Sequence, residues 1–224
     1  MLFRSNGRWA KKRHLPRIAG HRQGVEAVRR VTRAARAMGI EALTLYAFSS
    51  ENWRRPEDEV SDLMGLLRVF IRTDLDEMVR ENVRLRVIGD YRRFSPDLVK
   101  LVDDAIIRTA VNTGPILVIA LNYGAQAEIA AAARRLAEKV RCGEIDPAAI
   151  DEAAIDAELD TRDLPPLDLL IRTSGEIRLS NFLLWQAAYA ELLFVETLWP
   201  DFDAATLAEA VEAFGQRQRR FGGL

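Results

Sequence analysis

The chain has 224 residues, of which 49% are hydrophobic, and its formal net charge at pH 7 is -1. This length and apolar content suit one globular domain, and the near-neutral charge argues against a nucleic-acid-binding protein. The single cysteine, Cys142, excludes an internal disulfide, and no Cys/His spacing suggests zinc. We therefore expect a cytoplasmic protein without a signal peptide or membrane-spanning helix, while peripheral membrane contact stays open.

Short apolar runs alternate with longer amphipathic stretches along the chain. The apolar runs predict strands at 42–48, 83–89, 116–123, 167–172 and 192–196. Helical periodicity predicts helices at 25–38, 57–81, 96–109, 126–141 and 204–220, with one or two short helices at 147–160. This alternation is typical of an α/β fold, a single domain with a mostly parallel central sheet flanked by helices.

Polar stretches directly follow two of the predicted strands, and a third lies near the start of the chain. They are SSENWRRP at 49–56, RTSGEIRLSN at 172–181 and NGRWA at 6–10. Ligands in parallel sheets bind beyond the carboxyl ends of the strands, so we expect all three on one rim of one sheet. We also expect Asn6 and Gly7 to lie in a turn or at a helix N-terminus, where backbone N–H groups attract anions.

Arginine and hydroxyl side chains on and near these stretches favour a phosphate-binding site. Guanidinium groups form paired hydrogen bonds with phosphate oxygens, so several converging arginines suit a diphosphate. The candidate donors are Arg8, Arg17, Arg55, Arg172 and Arg178, together with His21 and the hydroxyl groups of Ser49, Ser50 and Ser180. Each arginine alone is more simply a solvated surface residue, so only the set supports the prediction.

Two carboxylates are candidates for holding a metal ion or for orienting an arginine. They are Glu51 and Glu191, and the second lies in the apolar stretch WQAAYAELLF, where an acid needs a partner. A structural ion pair is the simpler interpretation of Glu191. Magnesium nevertheless needs only one or two protein carboxylates when phosphates supply further ligands, so a lone acid is not disqualifying.

Apolar side chains near the polar stretches predict a cleft for an apolar tail. The set is Phe48, Leu63, Leu66, Leu67 and Phe70, with the aromatic residues Trp9, Trp53, Trp185 and Tyr189. A diphosphate with an apolar tail needs both a cationic rim and such a cleft. A nucleotide would need them too, but the sequence contains neither of the glycine-rich phosphate loops typical of nucleotide-binding proteins.

In combination, these motifs resemble the cis-prenyltransferases, in particular the bacterial undecaprenyl diphosphate synthases. The resemblance rests on NGRWA…R…GH, YAFSSENWRRP, NYG, LIRTSGEIRLSNFLLWQ and YAEL…WPDF, which follow one another from residue 6 to residue 223. It implies a homodimeric, magnesium-dependent enzyme that adds isopentenyl diphosphate units in cis configuration to farnesyl diphosphate. The implied product is a long-chain polyprenyl diphosphate, by default undecaprenyl diphosphate, and the apolar cleft becomes a tunnel for the growing chain.

The resemblance also implies a role for each motif residue. The residues expected to hold the allylic diphosphate are Asn6, Gly7, Arg8, Trp9, Arg17 and His21. Those expected to position substrate beside the catalytic Asn52 are Ser49, Ser50, Glu51, Trp53 and Arg55. Those expected to hold isopentenyl diphosphate are Arg172, Arg178, Leu179 and Ser180, while Glu191 would assist magnesium from the partner subunit's side of the interface. A carboxamide is a poor base, so we expect Asn52 to orient the proton or a water, with a diphosphate oxygen as a candidate acceptor.

The first five residues depart from the family pattern. The family has an apolar strand followed by Asp-Gly, whereas Arg4 and Ser5 stand here, and that Asp is the main magnesium ligand of the family. We therefore expect an N-terminally truncated domain with impaired activity. Either residues 1–5 are not native, or the chain is a non-catalytic, diphosphate-binding partner subunit. The retained substrate residues favour the first explanation.

Overall fold

The computed structural model describes residues 2–217, and the side chains from residue 5 onward. In this part of the chain the helices are α1 (Leu2–Lys12), α2 (Arg17–Ala37), α3 (Glu57–Arg80), α4 (Pro96–Thr109), α5 (Ala125–Arg141), α6 (Glu152–Asp156) and α7 (Ala204–Gly215). The strands are β1 (Ala42–Ser49), β2 (Arg84–Ile88), β3 (Ile116–Tyr123), β4 (Leu169–Arg172) and β5 (Glu191–Phe194). All five predicted strands are therefore confirmed, whereas α2 begins at Arg17 rather than at residue 25. Residues 218–220 of the last predicted helix lie outside the described residues.

All the paired strands run parallel, which confirms the predicted α/β fold. They divide into two sheets, however: β3 lies between β1 and β2, and β4 pairs with β5. Among residues 2–217, no strand pairs with the outer edge of β1 or of β4, so the hydrogen-bonded ladder is interrupted between the two sheets. This division is the difference from the expected single sheet.

One apolar core nevertheless joins the two sheets into a single domain. Leu45 of β1 and Ile119 of β3 are buried in the same cluster as Phe70 of α3. Ile171 of β4 and Val195, which follows β5, pack against that cluster. Burial of this shared apolar surface holds the smaller sheet against the larger one, because the hydrophobic effect needs no strand pairing.

A second cluster holds the segment after β4 over the ends of β1 and β3. The Tyr46 ring stacks on Phe182 with their centroids 4.4 Å apart. The Tyr46 hydroxyl donates to the Tyr123 carbonyl oxygen over 3.0 Å. These contacts bring residues 173–182 to the carboxyl ends of the larger sheet, where the polar stretch 49–56 also begins.

Helix α1 packs closely on α2 because two glycines of α2 leave room for it. A Cβ atom at Gly20 would lie 2.1 Å from the Asn6 carbonyl oxygen, and one at Gly24 would lie 2.3 Å from Asn6 Nδ2. Asn6 therefore lies inside α1, and the prediction that Asn6 and Gly7 occupy a turn or a helix N-terminus is wrong. Within the described range, none of the helices is both long and apolar enough to cross a bilayer.

Substitution Gly24→Ala tests the packing of α1 on α2. The added methyl group would collide with the Asn6 side chain, so we expect the free energy of unfolding to fall by about 1–3 kcal/mol, the usual cost of overpacking. Gly65→Ala is the matched control, because Gly65 lies inside α3 and a Cβ there meets no described atom of another element within 4 Å. Helix propensity should raise the unfolding free energy of this control by about 0.5–1 kcal/mol. Urea unfolding followed by circular dichroism measures both variants, and shifts of the same sign would contradict the packing.

Candidate functional site

The N-terminal helix is joined to the loop after β4 by hydrogen bonds between serines and an arginine. The Ser5 hydroxyl accepts from the Ser174 hydroxyl and from the Trp199 backbone N–H, both over 2.6 Å. Arg8 Nη1 donates to the Ser174 carbonyl oxygen over 3.3 Å and lies 3.1 Å from Glu176 Oε1. Glu176 also forms an ion pair with Arg178, so one carboxylate holds two of the predicted phosphate-binding arginines.

The loop after β4 contains several residues in the left-handed backbone region. Ser174, Gly175, Ser180 and Asn181 have φ angles of 80°, 66°, 54° and 59°. A Cβ atom at Gly175 would lie 2.4 Å from Glu196 Oε2, so glycine is required there for its small size as well as its backbone freedom. Such strained positions cluster at functional sites when surrounding contacts hold them in place.

Asn181 connects this loop with the loop after β1 and with α5. Its Nδ2 donates to Glu51 Oε1 over 2.9 Å, and its Oδ1 accepts from the Gln126 backbone N–H over 2.8 Å. Partial burial raises the pKa of Glu51, but hydrogen bonds from Asn181, from the backbone and from the neighbouring serines outweigh it, so the pKa lies below its ordinary value. Sequence analysis missed Asn181 as a site residue, although asparagine tolerates the left-handed conformation that it adopts here.

The buried carboxylate of Glu59 gathers three of the predicted site residues. Arg17 Nη1 donates to Glu59 Oε2 over 2.6 Å, and Arg55 Nη1 pairs with Glu59 Oε1. His21 Nε2 lies 3.7 Å from the same Oε1 atom. A Cβ atom at Gly7 would contact the Arg17 side chain at 3.7 Å, which places this group beside α1. Sequence analysis missed Glu59, although its spacing of four residues from Arg55 on a helix start was a usable signal.

His21 is buried and uncharged in this arrangement. Only 2% of its surface is exposed, and burial lowers its pKa to about 4, because desolvation disfavours the imidazolium form. The Glu59 carboxylate opposes this shift, whereas the positive charges of Arg55 and Arg17 add to it. At neutral pH the imidazole therefore offers one hydrogen-bond donor and one acceptor rather than a positive charge.

Asn52 is buried in the short 3₁₀ helix Ser50–Arg54 that follows β1. Its Oδ1 accepts from the Ser49 backbone N–H over 3.1 Å. The carboxamide oxygen is the only basic atom of this side chain, and here it already accepts a hydrogen bond from the backbone. This hydrogen bond fixes the orientation of the Asn52 side chain, and the role of Asn52 in proton removal stays a prediction.

Trp53 is held over the strand ends by Asn122, a residue that sequence analysis did not single out. Trp53 Nε1 donates to Asn122 Oδ1 over 2.8 Å, and Asn122 Nδ2 donates to the Asp90 carbonyl oxygen over 2.7 Å. The Trp53 ring lies edge-on to Phe48, with centroids 5.2 Å apart. Asn122 thus links the ends of β1, β3 and β2, and its position at the end of a predicted strand, in NYG, was the available signal.

The structure brings most of the predicted residues to one rim, but not all of them. Arg172 is buried at the end of β4, and Leu179 and Ser180 lie in the loop that follows. Trp9 instead donates through Nε1 to Asp201 over 2.6 Å. Glu191 begins β5, at the end of the smaller sheet away from that loop, and accepts from Arg217 Nη1 over 2.5 Å. Within this chain, Glu191 therefore lies away from the rim, and its expected role across a subunit interface stays a prediction.

The described side chains do not fit a magnesium site built by the protein alone. Between residues 5 and 217, no three His, Cys, Asp or Glu side chains are grouped so that they could hold a metal ion. Near the rim, Glu59 and Glu176 are each engaged by two arginines, and Glu51 accepts from Asn181. The side chain of Arg4, at the position where the resemblance implies a metal-binding Asp, lies outside the described residues.

An apolar cavity of about 70 Å³ extends from Asn6 and His21 into the core. Asn6 and His21 line its polar end, and the Asn6 Oδ1 atom is buried without a hydrogen-bond partner among the described groups. The remaining wall is apolar and includes the predicted Phe48, Leu63, Leu66, Leu67 and Phe70. Four predicted cleft residues lie elsewhere: Trp9 bonds to Asp201, Trp53 bonds to Asn122, Trp185 donates to Asp156, and Tyr189 is 79% exposed.

The low pKa of His21 makes the stability of the fold depend on pH. Its pKa is about 4 in the folded state and 6.5 in the unfolded state, so the unfolded state takes up the proton first as the pH falls. The contribution of this group to the unfolding free energy should be constant above about pH 7 and should fall by up to about 3 kcal/mol towards pH 4. His21→Gln keeps a polar side chain that does not titrate. The difference in unfolding free energy between the parent and this variant should shift by that amount between pH 7 and pH 4, and a difference independent of pH would contradict the burial of a neutral His21.

Comparison with known proteins shows relatives that match the whole chain. Residues 4–222 match the sequence model of the family described as "Putative undecaprenyl diphosphate synthase". The isoprenyl transferase of Zymomonas mobilis is 60% identical over 224 residues, which cover all of this chain and 90% of that protein. The isoprenyl transferase of Bacillus subtilis is 50% identical over all of this chain and 86% of that protein.

Two solved structures share the fold described above. Lavandulyl diphosphate synthase from Lavandula x intermedia, in complex with dimethylallyl diphosphate, gives a TM-score of 0.93 at 36% identity over 96% of this chain and 93% of that chain. A probable undecaprenyl diphosphate synthase from Campylobacter jejuni gives a TM-score of 0.79 at 34% identity over 90% of this chain and 92% of that chain. With its motifs on one rim and its relatives matching from end to end, the chain belongs to the undecaprenyl diphosphate synthase family of isoprenyl transferases.

Proposed function

We propose that this isoprenyl transferase condenses isopentenyl diphosphate with farnesyl diphosphate, adds each unit in cis configuration, and forms a long-chain polyprenyl diphosphate such as undecaprenyl diphosphate. The observation that carries this proposal is that Arg17 and Arg55 lie with His21 around Glu59, at the polar end of an apolar cavity. Such an arrangement suits a molecule with a diphosphate head and an apolar tail. The relative solved with dimethylallyl diphosphate supports an allylic diphosphate as the chemical class of one substrate.

The allylic diphosphate would bind where α1 meets the Glu59 group. Arg8 and Arg17 supply charged donors, and Asn6 and neutral His21 supply polar contacts at the polar end of the cavity. Gly7 leaves space for Arg17 to lie across α1. Trp9 donates a hydrogen bond to Asp201, so its contribution would be to hold α1 in position.

Isopentenyl diphosphate would bind beside the loop after β4. Arg172 and Arg178 supply its phosphate donors, and the backbone at Leu179 and the hydroxyl group of Ser180 complete the loop. The loop after β1 would face it with Ser49, Ser50, Glu51, Trp53 and Arg55. Asn181 fixes the distance between the two loops through its hydrogen bond to Glu51.

The reaction breaks the allylic C–O bond, forms a C–C bond to the isopentenyl double bond, and removes one proton from the isopentenyl unit. Arginines that are already in position before the reaction begins stabilise the negative charge that grows on the departing diphosphate. Asn52 would orient the proton that leaves, and a diphosphate oxygen is the acceptor that this site offers. Among the described residues no three metal-ligating side chains are grouped, so a magnesium ion bound here would take further ligands from the diphosphates.

Other parts of the sequence-based interpretation also remain proposals. We propose a homodimer in the cytoplasm, with product release at a membrane surface, and no nucleic-acid ligand. The expected impairment through Arg4 and the alternative of a non-catalytic partner subunit receive no support from the relatives, which are named isoprenyl transferases.

Transfer of labelled isopentenyl diphosphate to farnesyl diphosphate tests the proposal directly. In the presence of magnesium, we expect the chain to convert the label into a butanol-soluble polyprenyl diphosphate. Calorimetry with farnesyl diphosphate accompanies the assay. Binding without transfer would contradict elongation by this chain and favour the partner-subunit alternative, whereas neither binding nor transfer would contradict the proposed substrate.

Arg178→Ala tests the assignment of isopentenyl diphosphate to the loop after β4. Loss of a charged hydrogen bond of about 1.5–3 kcal/mol should raise the KM for isopentenyl diphosphate by about 10–100-fold. Arg141→Ala is the matched control, since Arg141 also pairs with a nearby glutamate, Glu138, but lies at the end of α5. We expect steady-state kinetics to show a change for Arg178→Ala only; equal KM values in the two variants would remove Arg178 from the site.

A further inference from the structure

Helix α5 begins at a residue that has no side chain to cap it. Its N-cap is Gly124, so the first N–H groups of the helix need acceptors from another segment. Asn181 supplies two of them from the loop after β4. Its backbone carbonyl oxygen accepts from the Ala125 N–H over 2.9 Å, and its Oδ1 accepts from the Gln126 N–H over 2.8 Å. The loop after β4 is therefore fixed to the start of α5 at Asn181.

The other end of the Asn181 carboxamide is fixed by the loop after β1. Its Nδ2 donates to Glu51 Oε1 over 2.9 Å. Because Oδ1 already accepts from α5, the carboxamide has one orientation that satisfies both neighbours. Asn181 directly follows Ser180, and Glu51 directly precedes Asn52. This hydrogen bond therefore joins the loop assigned to isopentenyl diphosphate with the loop that contains Asn52.

Gly124 leaves the space in which these three segments meet. A Cβ atom there would lie 2.7 Å from Asn181 Nδ2 and 2.7 Å from the Ser50 hydroxyl oxygen, closer than real Cβ atoms approach such neighbours. The φ angle of Gly124 is -160°, an extended conformation that any residue adopts. The position therefore requires the small size of glycine and not its backbone freedom. An added methyl group would press on both loops at once.

Two consecutive residues next to this contact adopt the left-handed backbone conformation. The φ angle of Ser180 is 54° and that of Asn181 is 59°. This conformation is uncommon for serine and better tolerated by asparagine, and it persists where surrounding contacts hold the backbone. The three hydrogen bonds of Asn181 are such contacts. They therefore also hold the backbone that carries Ser180.

We propose that Asn181 is a positioning residue for the condensation: anchored on the start of α5, it fixes through Glu51 the distance between the loop that binds isopentenyl diphosphate and the loop that contains Asn52. This inference rests on the function proposed above. The reacting carbon atoms must approach to about 3–3.5 Å, so an error of about 1 Å between the loops should slow the reaction by about 100-fold. Asn181 exerts this effect without contact to either substrate.

Asn181→Asp breaks one of these contacts and keeps the other. One carboxylate oxygen can still accept from the Gln126 N–H, whereas the second replaces the donor to Glu51 and repels its carboxylate. Asn82→Asp is the matched control. Asn82 also has a left-handed φ angle, of 54°, and its Oδ1 accepts from the Thr113 backbone N–H over 3.0 Å. It precedes β2, at the end of the larger sheet opposite to the rim.

Rapid-quench measurement of the first condensation tests the positioning role. The enzyme is in excess over farnesyl diphosphate, and labelled isopentenyl diphosphate is saturating. We expect the rate constant of Asn181→Asp to be about 10–100-fold below that of the parent, with the affinity for farnesyl diphosphate unchanged in calorimetry. Partial unfolding would instead lower the amplitude of the reaction and leave its rate constant in place. Asn82→Asp should keep the parental rate constant and affinity.

Hydrogen exchange followed by mass spectrometry tests the contact between the loops without turnover. In Asn181→Asp, residues 50–54 should exchange faster than in the parent, whereas the start of α5 should stay protected. Gly124→Ala disturbs the same contact through bulk rather than charge, so it should also speed exchange at residues 50–54 and lower the rate constant. Gly215→Ala is its control, because a Cβ there meets no described atom of another element within 4 Å, and it should match the parent.

The outcomes separate this inference from the proposed function. A parental rate constant in folded Asn181→Asp would overturn the inference, as would an equal loss of rate in Asn82→Asp. Parental exchange at residues 50–54 in both Asn181→Asp and Gly124→Ala would overturn it as well. If exchange rises in both variants but the parent transfers no label, the proposed elongation fails and the connection of the two loops by Asn181 stands.

Discussion

The ion pairs made by Glu59 are the interaction on which the candidate site depends. This carboxylate is buried between Arg17 at the start of α2 and Arg55 after β1, and it lies next to His21. Without it, two guanidinium groups would face one another across a partly buried space, and their repulsion would separate the two segments. Glu59 therefore fixes cationic groups before a substrate arrives. A guanidinium has five N–H donors, so Arg17 can bind Glu59 and a phosphate oxygen together, and little reorganisation is needed when the diphosphate develops charge.

The same principle recurs at Glu176, which lies between Arg8 and Arg178. In both places a single negative charge is shared by two positive ones, so each group keeps a net positive charge that can attract a phosphate. The neutral state of His21 limits that charge near the mouth of the apolar cavity. A fully charged mouth would hold water strongly, whereas a neutral imidazole and the Asn6 amide form a polar transition between the proposed phosphate site and the apolar wall.

The sequence predicts those features that depend on local pattern and misses those that depend on distant contacts. Apolar periodicity located each strand found between residues 2 and 217, and the rule that ligands bind at strand ends placed the stretches after β1 and β4 on one rim. Local signals put Asn6 in a turn, but its helical position depends on the space left by Gly20 and Gly24. The pair between Glu59 and Arg55 has a local signal in its four-residue spacing, whereas the contacts of Glu59 with Arg17 and of Asn181 with Glu51 join residues far apart in sequence and have none.

The contacts that hold the polar rim of the site differ from those that enclose its apolar interior. The rim is assembled across the whole chain, since the hydrogen bond between Ser174 and Ser5 joins residues 169 positions apart. It can form only when the entire domain is folded, so changes that loosen α1 should weaken stability together with the proposed phosphate binding. The interior is bounded instead by neighbouring helices, with Phe70 on α3 facing α2 across the cavity. The apolar wall of the cavity and the arginines of the rim are therefore held by different contacts, so a change of side-chain volume in the wall leaves the ion pairs of Glu59 and Glu176 in place.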